Sequence, residues 1–423
     1  MKNAYGSVHH SLIDFSLRHY HAPLQFLSIL KALYSGLNAK VITSEWETPV
    51  ISLQKGVYQG DPLSVVIFNT VMNTLVDTVT SRIDLGYQFS KSTRKINILQ
   101  YADDTCLVAD SPASCQSLLS QVSEWLKWSG MEAKIPKCQC ITLQGSTGKL
   151  MDPDLTLNGS SIPFTTEPIR FLGLKVQVPT DNISAREEVL FSLERMLDAI
   201  NKTPLTRKQK MCLYFGGVCP RLTWPLLIQK FPTSWMEQKM DAVATQYLKK
   251  WSGLGKSANI ALVYLPGSMG GLNLPRLSVL HKKLQVSRQC QLLVSRDSCV
   301  RFLADCHLKC ELIPVQKKFK PAEVARDAMK IKPGVTSKTI VKTAKVLVRD
   351  EANTDLLEKL HSQERQGQMS RCTSSEGAPI WAKVVQSLPE EQMKFALNAA
   401  VDVLPHNANL HLWKKRKDPS CPL

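Results

Sequence analysis

The chain has 423 residues, 43% hydrophobic and 21% charged, which suits a globular protein and is too long for one ordinary core, so two or three domains are expected. Its 53 Lys+Arg against 36 Asp+Glu give a formal +17, spread along the whole chain, which favours nucleic acid ahead of a membrane surface as a polyanionic partner. No run of about 18 apolar residues exists, so no transmembrane helix is expected, and "MKNAYGSVHHSL" lacks the apolar core of a signal peptide. The 12 cysteines contain no CxxC pair and read as reduced thiols of an intracellular protein, nuclear or cytoplasmic and not secreted.

Residues 9–36 read as two helices, the second opened by Pro23 and closed by the glycine of "SGLN". "AKVITSEWETPVISLQKG" reads as a strand pair with a turn near Glu47-Thr48. The clearest helix runs from Asp61 to about Ile83. Asp61 suits its N-cap, Pro62 its first position, and Leu63, Ile67, Val71, Leu75, Val79 and Ile83 form one apolar stripe. "INILQYADDTCLVA" reads as strand, tight turn, strand, with Asp103 and Asp104 at the exposed tip of a hairpin whose stems are packed. Residues 112–129 read as a helix, and "KCQCITLQG" and "PIRFLGLKVQV" as strands. Helices alternating with short antiparallel strands make an α+β layout.

Beyond about Val178 the pattern is helical and basic. "LPGSMGGLNLPRLS" is a connector whose glycine spacing matches no phosphate-binding loop. "CHLKC" at 306–310 sits in a helical pattern without a second ligand pair, which makes it a weak zinc candidate. Residues 280–423 are helical, polar and basic, and end in "WKKRKDPSCPL".

Two adjacent carboxylates at a turn repel each other unless a cation lies between them. Hard oxygens of this kind suit Mg²⁺, which takes one or two protein carboxylates plus substrate phosphates. The chemistry is in-line phosphoryl or nucleotidyl transfer, with two ions about 3.5–4 Å apart. For the pair alone, a solvated turn is the commoner explanation. "KGVYQGDPLSVVIFN" changes the balance, because Gly60 permits close backbone approach beside a helix N-terminus with free N–H groups.

"NAYGSVHHSLI", "GVYQGDPLS", "YADD", "WSGMEAKIPKC" and "FLGL" occur in the order found in reverse transcriptases, and their wording resembles the non-LTR (LINE-type) retrotransposon class. The resemblance covers roughly residues 2–180. It continues loosely through "KKWSGL" and "GGLNLPRLS" to about 290 and is weak over 291–423. It implies a right-hand polymerase palm, an antiparallel sheet with helices, over 1–178. A thumb-like helical domain over 179–290 and a helical C-terminal region over 291–423 follow. By resemblance, Asp103 and Asp104 bind the metals, two Mg²⁺ with Mn²⁺ as an alternative. Tyr5 packs under the sugar of the incoming nucleotide. Gln59, Gly60 and Tyr101 line nucleotide and template, Lys137 protonates the pyrophosphate, and Phe171, Leu172 and Gly173 grip the primer end. RNA template, DNA primer and dNTPs are the implied partners, with no membrane; the oligomeric state is not legible.

In the family a further metal-binding aspartate lies five residues before the sugar-packing aromatic. Counting back from Tyr5 passes Met1 and lands one position ahead of it. The preceding fingers segment has no counterpart either, and Asp14 falls on the following helix, a poor substitute. At the other end, Cys421 matches the first ligand of a Cys/His zinc knuckle. The expectation is therefore a reverse transcriptase fragment of weak or absent activity. A non-catalytic nucleic-acid-binding remnant is the alternative.

Overall fold

The computed structural model describes residues 1–91, 93–145, 147–176, 183–310 and 337–420. It divides into two compact units, Met1–Phe171 with Lys175–Thr180, and Leu172–Leu174 with Asp181–Leu423. Both Val178 and Cys421 lie outside the described residues.

The first unit is a mixture of helices and small antiparallel ladders, in the order α1 Ala4–Ser7, α2 His10–His19, α3 Leu24–Ser35, β1 Asn38–Ala39, β2 Ile51–Ser52, α4 Pro62–Thr80, β3 Ile98–Tyr101, β4 Asp104–Leu107, α5 Pro112–Ser129, β5 Thr156–Leu157, β6 Ser160–Ser161, β7 Ile169–Phe171 and β8 Leu174–Val176. Among the described residues each sheet has two strands, β1-β2, β3-β4, β5-β6 and β7-β8, so a single wider palm sheet is not formed.

The centre is α4. Asp61 caps it as expected, its carboxylate accepting from the N–H groups of Leu63 (3.3 Å) and Ser64 (3.1 Å), and Pro62 holds the first helical position. Ile67, Phe68, Val71, Met72, Leu75 and Val79 are buried, each fully buried side chain contributing roughly 1.5–3 kcal/mol. The helix stops at Thr80, three residues short of the expected end, and Ile83 is exposed. Asn97 helps fix that end: its side-chain amide donates to the Val79 carbonyl at 2.9 Å. Across the core, the Trp125 indole of α5 donates to the Thr74 hydroxyl at 2.9 Å.

Several strand expectations need correction. The β1-β2 turn sits at Thr43–Trp46 and not near Glu47-Thr48, because the Thr43 hydroxyl accepts from the backbone of Glu45 and Trp46 and closes the turn there. "KCQCITLQG" makes only isolated bridges, Cys140 with Phe164 and Leu143 with Leu150. The described part of "PIRFLGLKVQV", residues 168–176, is a hairpin, since Leu172 and Gly173 both have positive φ and turn the chain.

Among the described residues two helical stretches, Pro62–Thr80 and Arg207–Ile228, are long and apolar enough to cross a membrane by length and composition. Neither is an unbroken apolar run: polar residues such as Thr70, which donates to the Val66 carbonyl, and Asp77 interrupt the first, and Lys208, Lys210 and Arg221 the second. In the first unit that apolar face is the core.

The second unit is helical. Leu193, Leu197, Tyr214, Leu222, Leu226, Met240, Leu248 and Trp251 share one core with Leu360, Val385, Met393 and Leu397, so residues on both sides of position 290 contribute to it. The Gly/Pro connector is structural. Gly271 is required because a Cβ there would fall 1.9 Å from the Leu265 carbonyl oxygen. "CHLKC" lies on the helix Ser298–Cys310.

Candidate active site

The hairpin β3-β4 pairs Ile98 with Leu107, Leu99 with Cys106, Gln100 with Thr105 and Tyr101 with Asp104. This leaves Ala102 and Asp103 as a two-residue turn. Cross-strand partners share a face, so Tyr101 and Asp104 lie on one side and Gln100 and Thr105 on the other. Ala102 has φ 50°, a left-handed conformation that such turns usually give to glycine. Asp103 is half-exposed and Asp104 exposed, as expected for a tip. The stems are only partly packed: Ile98 is buried, while Leu99 and Tyr101 are exposed.

A polar brace holds the tip from the opposite face. The Thr105 hydroxyl donates to Gln100 Oε1 at 2.9 Å, and Gln100 Nε2 donates to the Ala102 carbonyl. Sequence reasoning missed both residues. Counting two positions outward from the turn on each strand finds them.

The amino-terminal segment links this tip to the loop before α4. The Met1 nitrogen lies 3.6 Å from Asp103 Oδ2. Lys2 is fastened to Glu132 twice, its N–H donating to the Glu132 carbonyl at 2.9 Å and its ammonium pairing with the carboxylate at 2.8 Å. Tyr5 stacks flat on Phe68 of α4, with ring centroids 4.4 Å apart and 11° between planes, and its carbonyl accepts from Val57 at 2.9 Å. Gly56 runs against Gly6, where a Cβ would come within 3.3 Å of Gly6 Cα, and it too has positive φ. The segment leading to Gln59 and Gly60 is thereby sewn to Tyr5. Gln59 and Gly60 are exposed, and nothing occupies the space a Cβ at Gly60 would enter.

Lys137 ends the one-turn 3-10 helix Ile135–Lys137 and is exposed. Its neighbour Cys138 is half-buried; burial pushes that thiol up, and the Met1 ammonium pulls it partly back. The amino terminus is therefore within electrostatic reach of both Asp103 and the "PKC" turn. Asp14 is elsewhere in use, paired with Arg18 at 2.8 Å within α2, which holds its carboxyl below the usual range. Phe171 closes β7, whereas Leu172–Leu174 belong to the second unit. There the Leu172 carbonyl accepts from the Trp224 indole at 3.1 Å, and a Cβ on Gly173 would meet that nitrogen at 2.5 Å.

Asp103 and Asp104 offer hard carboxylate oxygens, the donors a divalent cation takes when water and substrate phosphates supply its other ligands. Among the described residues there is no group of three or more His, Cys, Asp or Glu placed to hold a metal ion. The pair thus fits a metal as a partial ligand set.

Residues 1–176 match the family model described as reverse transcriptase (RNA-dependent DNA polymerase). The chain is 26% identical over 294 residues to the Retrovirus-related Pol polyprotein from type-2 retrotransposable element R2DM of Drosophila melanogaster, covering 68% of this chain and 27% of that protein. It is 27% identical over 281 residues to the Retrovirus-related Pol polyprotein from type-1 retrotransposable element R2 of Nasonia vitripennis, covering 65% of this chain and 26% of that protein. A third such polyprotein, from R2 of Popillia japonica, is 28% identical over 185 residues, 43% of this chain and 25% of its own length. The chain spans about a quarter of the length of these curated relatives. Residues 1–176 thus form a reverse transcriptase domain of the non-LTR retrotransposon class, homologous to the R2 Pol proteins.

Proposed function

We propose that this domain carries out RNA-templated DNA synthesis from a primer 3′-hydroxyl, with residues 1–176 as a palm and the helical unit as a thumb. The observation that carries the reading is the β3-β4 tip, where Asp103 and Asp104 end a braced hairpin, together with the segment that joins it to Tyr5 and the Gln59-Gly60 loop.

Each residue has a role its position supports. Asp103 and Asp104 would hold Mg²⁺, which when bound neutralises the reacting phosphates and favours the deprotonated primer hydroxyl. Tyr5, its ring fixed flat on Phe68, offers a rigid edge against which a deoxyribose sugar can rest. Exposed Gln59 can hydrogen-bond a template base or nucleotide, and Gly60 leaves room for close approach. Tyr101 shares a hairpin face with Asp104, where it lines the same strand of substrate. Lys137, exposed on the "PKC" turn, would give a proton to the departing pyrophosphate. Phe171, Leu172 and Gly173 form a tight turn suited to gripping the primer end. Partners are an RNA template, a DNA primer and dNTPs.

The Met1 nitrogen stands 3.6 Å from Asp103, and by family resemblance a third carboxylate belongs on the residue bonded ahead of it. Fixed charge of this kind is usually the largest single contribution in such catalysis, so a carboxylate on the residue bonded ahead of Met1 would strengthen the hold on the metals. The direct assay supplies RNA template, DNA primer, dNTPs and Mg²⁺ to the chain preceded by one aspartate. Template-dependent cDNA is expected, and no product in Mg²⁺ or Mn²⁺ overturns the reading.

The +17 charge, with no three-ligand metal group among the described residues, favours a second reading as a non-catalytic nucleic-acid-binding protein. It predicts RNA binding without extension by either chain.

A further inference from the structure

In the second unit the helices Leu277–Leu293 and Ser337–His361 pack through a narrow apolar seam, Val286 and Cys290 against Ile340, Ala344 and Val348. Ala344 is fully buried, and its small side chain brings the helices close. Beside the seam runs a groove of about 450 Å³, lined by Lys283, Gln291, Lys338, Val341, Lys342, Lys345, Val346 and Arg349.

Five of those eight residues are cationic. Lys338, Lys342, Lys345 and Arg349 are spaced 4, 3 and 4 apart, which puts them on one face of their helix. Lys283 enters from the facing helix, half-buried; burial lowers its pKa, and Arg349 and Lys345 lower it further. The acid facing it is Asp350, which is ion-paired with Arg349 at 2.9 Å. Among the described residues Lys338, Lys342 and Lys345 have no ion-pair partner. Like charges lined up in this way destabilise the helix pair unless an anion compensates them.

We propose that this groove binds the phosphate backbone of a nucleic acid. From Lys338 to Arg349 the cations extend roughly 16 Å along the helix axis. That is the rise of about five nucleotides at 3.4 Å each. A single small anion would meet only one or two of them, and a flat bilayer cannot enter a groove, whereas a threaded polyanion meets all five. The proposal rests on nucleic acid as a partner and not on polymerase chemistry.

The test is fluorescence anisotropy of the full chain with a labelled mixed-sequence RNA over a salt series. Lys342→Ala/Lys345→Ala/Arg349→Ala is compared with Lys414→Ala/Lys415→Ala/Lys417→Ala, which removes equal charge from an exposed segment near the C-terminus. The groove triple should weaken binding at least about tenfold and lower the slope of log K against log salt by about 2. The control should cost less than about threefold. Lys342→Arg/Lys345→Arg/Arg349→Lys should bind as the parent does. Should the groove triple lose its helical circular dichroism, the single Lys342→Glu carries the comparison. Equal losses in the two alanine triples, or no loss in the groove triple, overturn the site. So does loss of binding to phosphatidylserine vesicles with RNA binding intact. If the parent binds no RNA at low salt, nucleic acid as a partner is wrong. Primer extension is judged separately, because the groove variants leave Asp103 and Asp104 untouched.

Discussion

The Met1 nitrogen stands 3.6 Å from Asp103 Oδ2, so whatever is bonded to that nitrogen is set down beside the hairpin tip. An aspartate placed ahead of Met1 makes that nitrogen a neutral amide, moves the terminal cation one residue outward and brings a carboxylate within reach of Asp103. Single-turnover extension should rise at least about tenfold with that one added residue. An added asparagine, which moves the cation outward by the same one residue without adding a carboxylate, should recover only a small part of the gain.

The brace behind the tip predicts a positioning effect. Thr105→Val removes the hydrogen bond that orients the Gln100 amide, and Gln100→Ala removes that one and the one to the Ala102 carbonyl. Each should cost about 1 kcal/mol of stability. The rate constant for extension should fall about three- to tenfold with KM for dNTP little changed, since the groups act on the carboxylates and not on the nucleotide. The double variant should be no worse than the poorer single one, because the two hydrogen bonds form one network.

Ala102→Gly should stabilise the protein. Alanine at φ 50° carries strain that glycine avoids, and relief is worth about 0.5–1 kcal/mol after the added chain entropy of glycine is subtracted. Equilibrium unfolding in urea should show a higher midpoint at an unchanged slope; a lower midpoint would show that the turn tolerates alanine without strain.

His281 gives the helical unit a pH dependence. Its ring is buried, with Nδ1 2.9 Å from the Leu226 carbonyl and Nε2 3.2 Å from the Phe231 nitrogen and 3.3 Å from its carbonyl; the neutral ring with its proton on Nδ1 donates to Leu226 and accepts from the Phe231 N–H. Burial holds its pKa below the ordinary 6.5. Below pH 6.5 the unfolded chain takes up a proton that the folded one refuses. The stabilisation is therefore complete above that pH and lost as pH falls through the lowered folded value. Thermal midpoints should drop from pH 7 to pH 5, and His281→Gln should have a lower midpoint with a flatter dependence.

Much of the first unit was legible because its signals are local. Asp61-Pro62 at the mouth of a four-residue apolar repeat specifies a capped helix, and a polar pair between two apolar runs specifies a hairpin. The ends were less legible. Nothing in the spacing of Ile83 shows that Asn97, distant in sequence, helps fix the helix end at Thr80. "PIRFLGLKVQV" looked like one strand because Leu172 is apolar and its positive φ leaves no mark on hydropathy. The site residues could be named from their ordered motifs. Their joining through Met1, Lys2 and the Tyr5 carbonyl is a matter of backbone contacts, which residue identity does not encode. In the second unit the basic stripe of Lys338, Lys342, Lys345 and Arg349 was visible as charge, but the groove exists only because Lys283 faces it from another helix.

The most direct measurement is single-turnover primer extension by the aspartate-preceded chain, comparing the parent with Asp103→Asn and Asp104→Asn on the same RNA template. The account predicts Mg²⁺-dependent cDNA from the parent. Either substitution should lower the rate by at least about 100-fold, with RNA affinity unchanged within about twofold. Extension at the parent rate in either variant, or no cDNA from the parent, would contradict it.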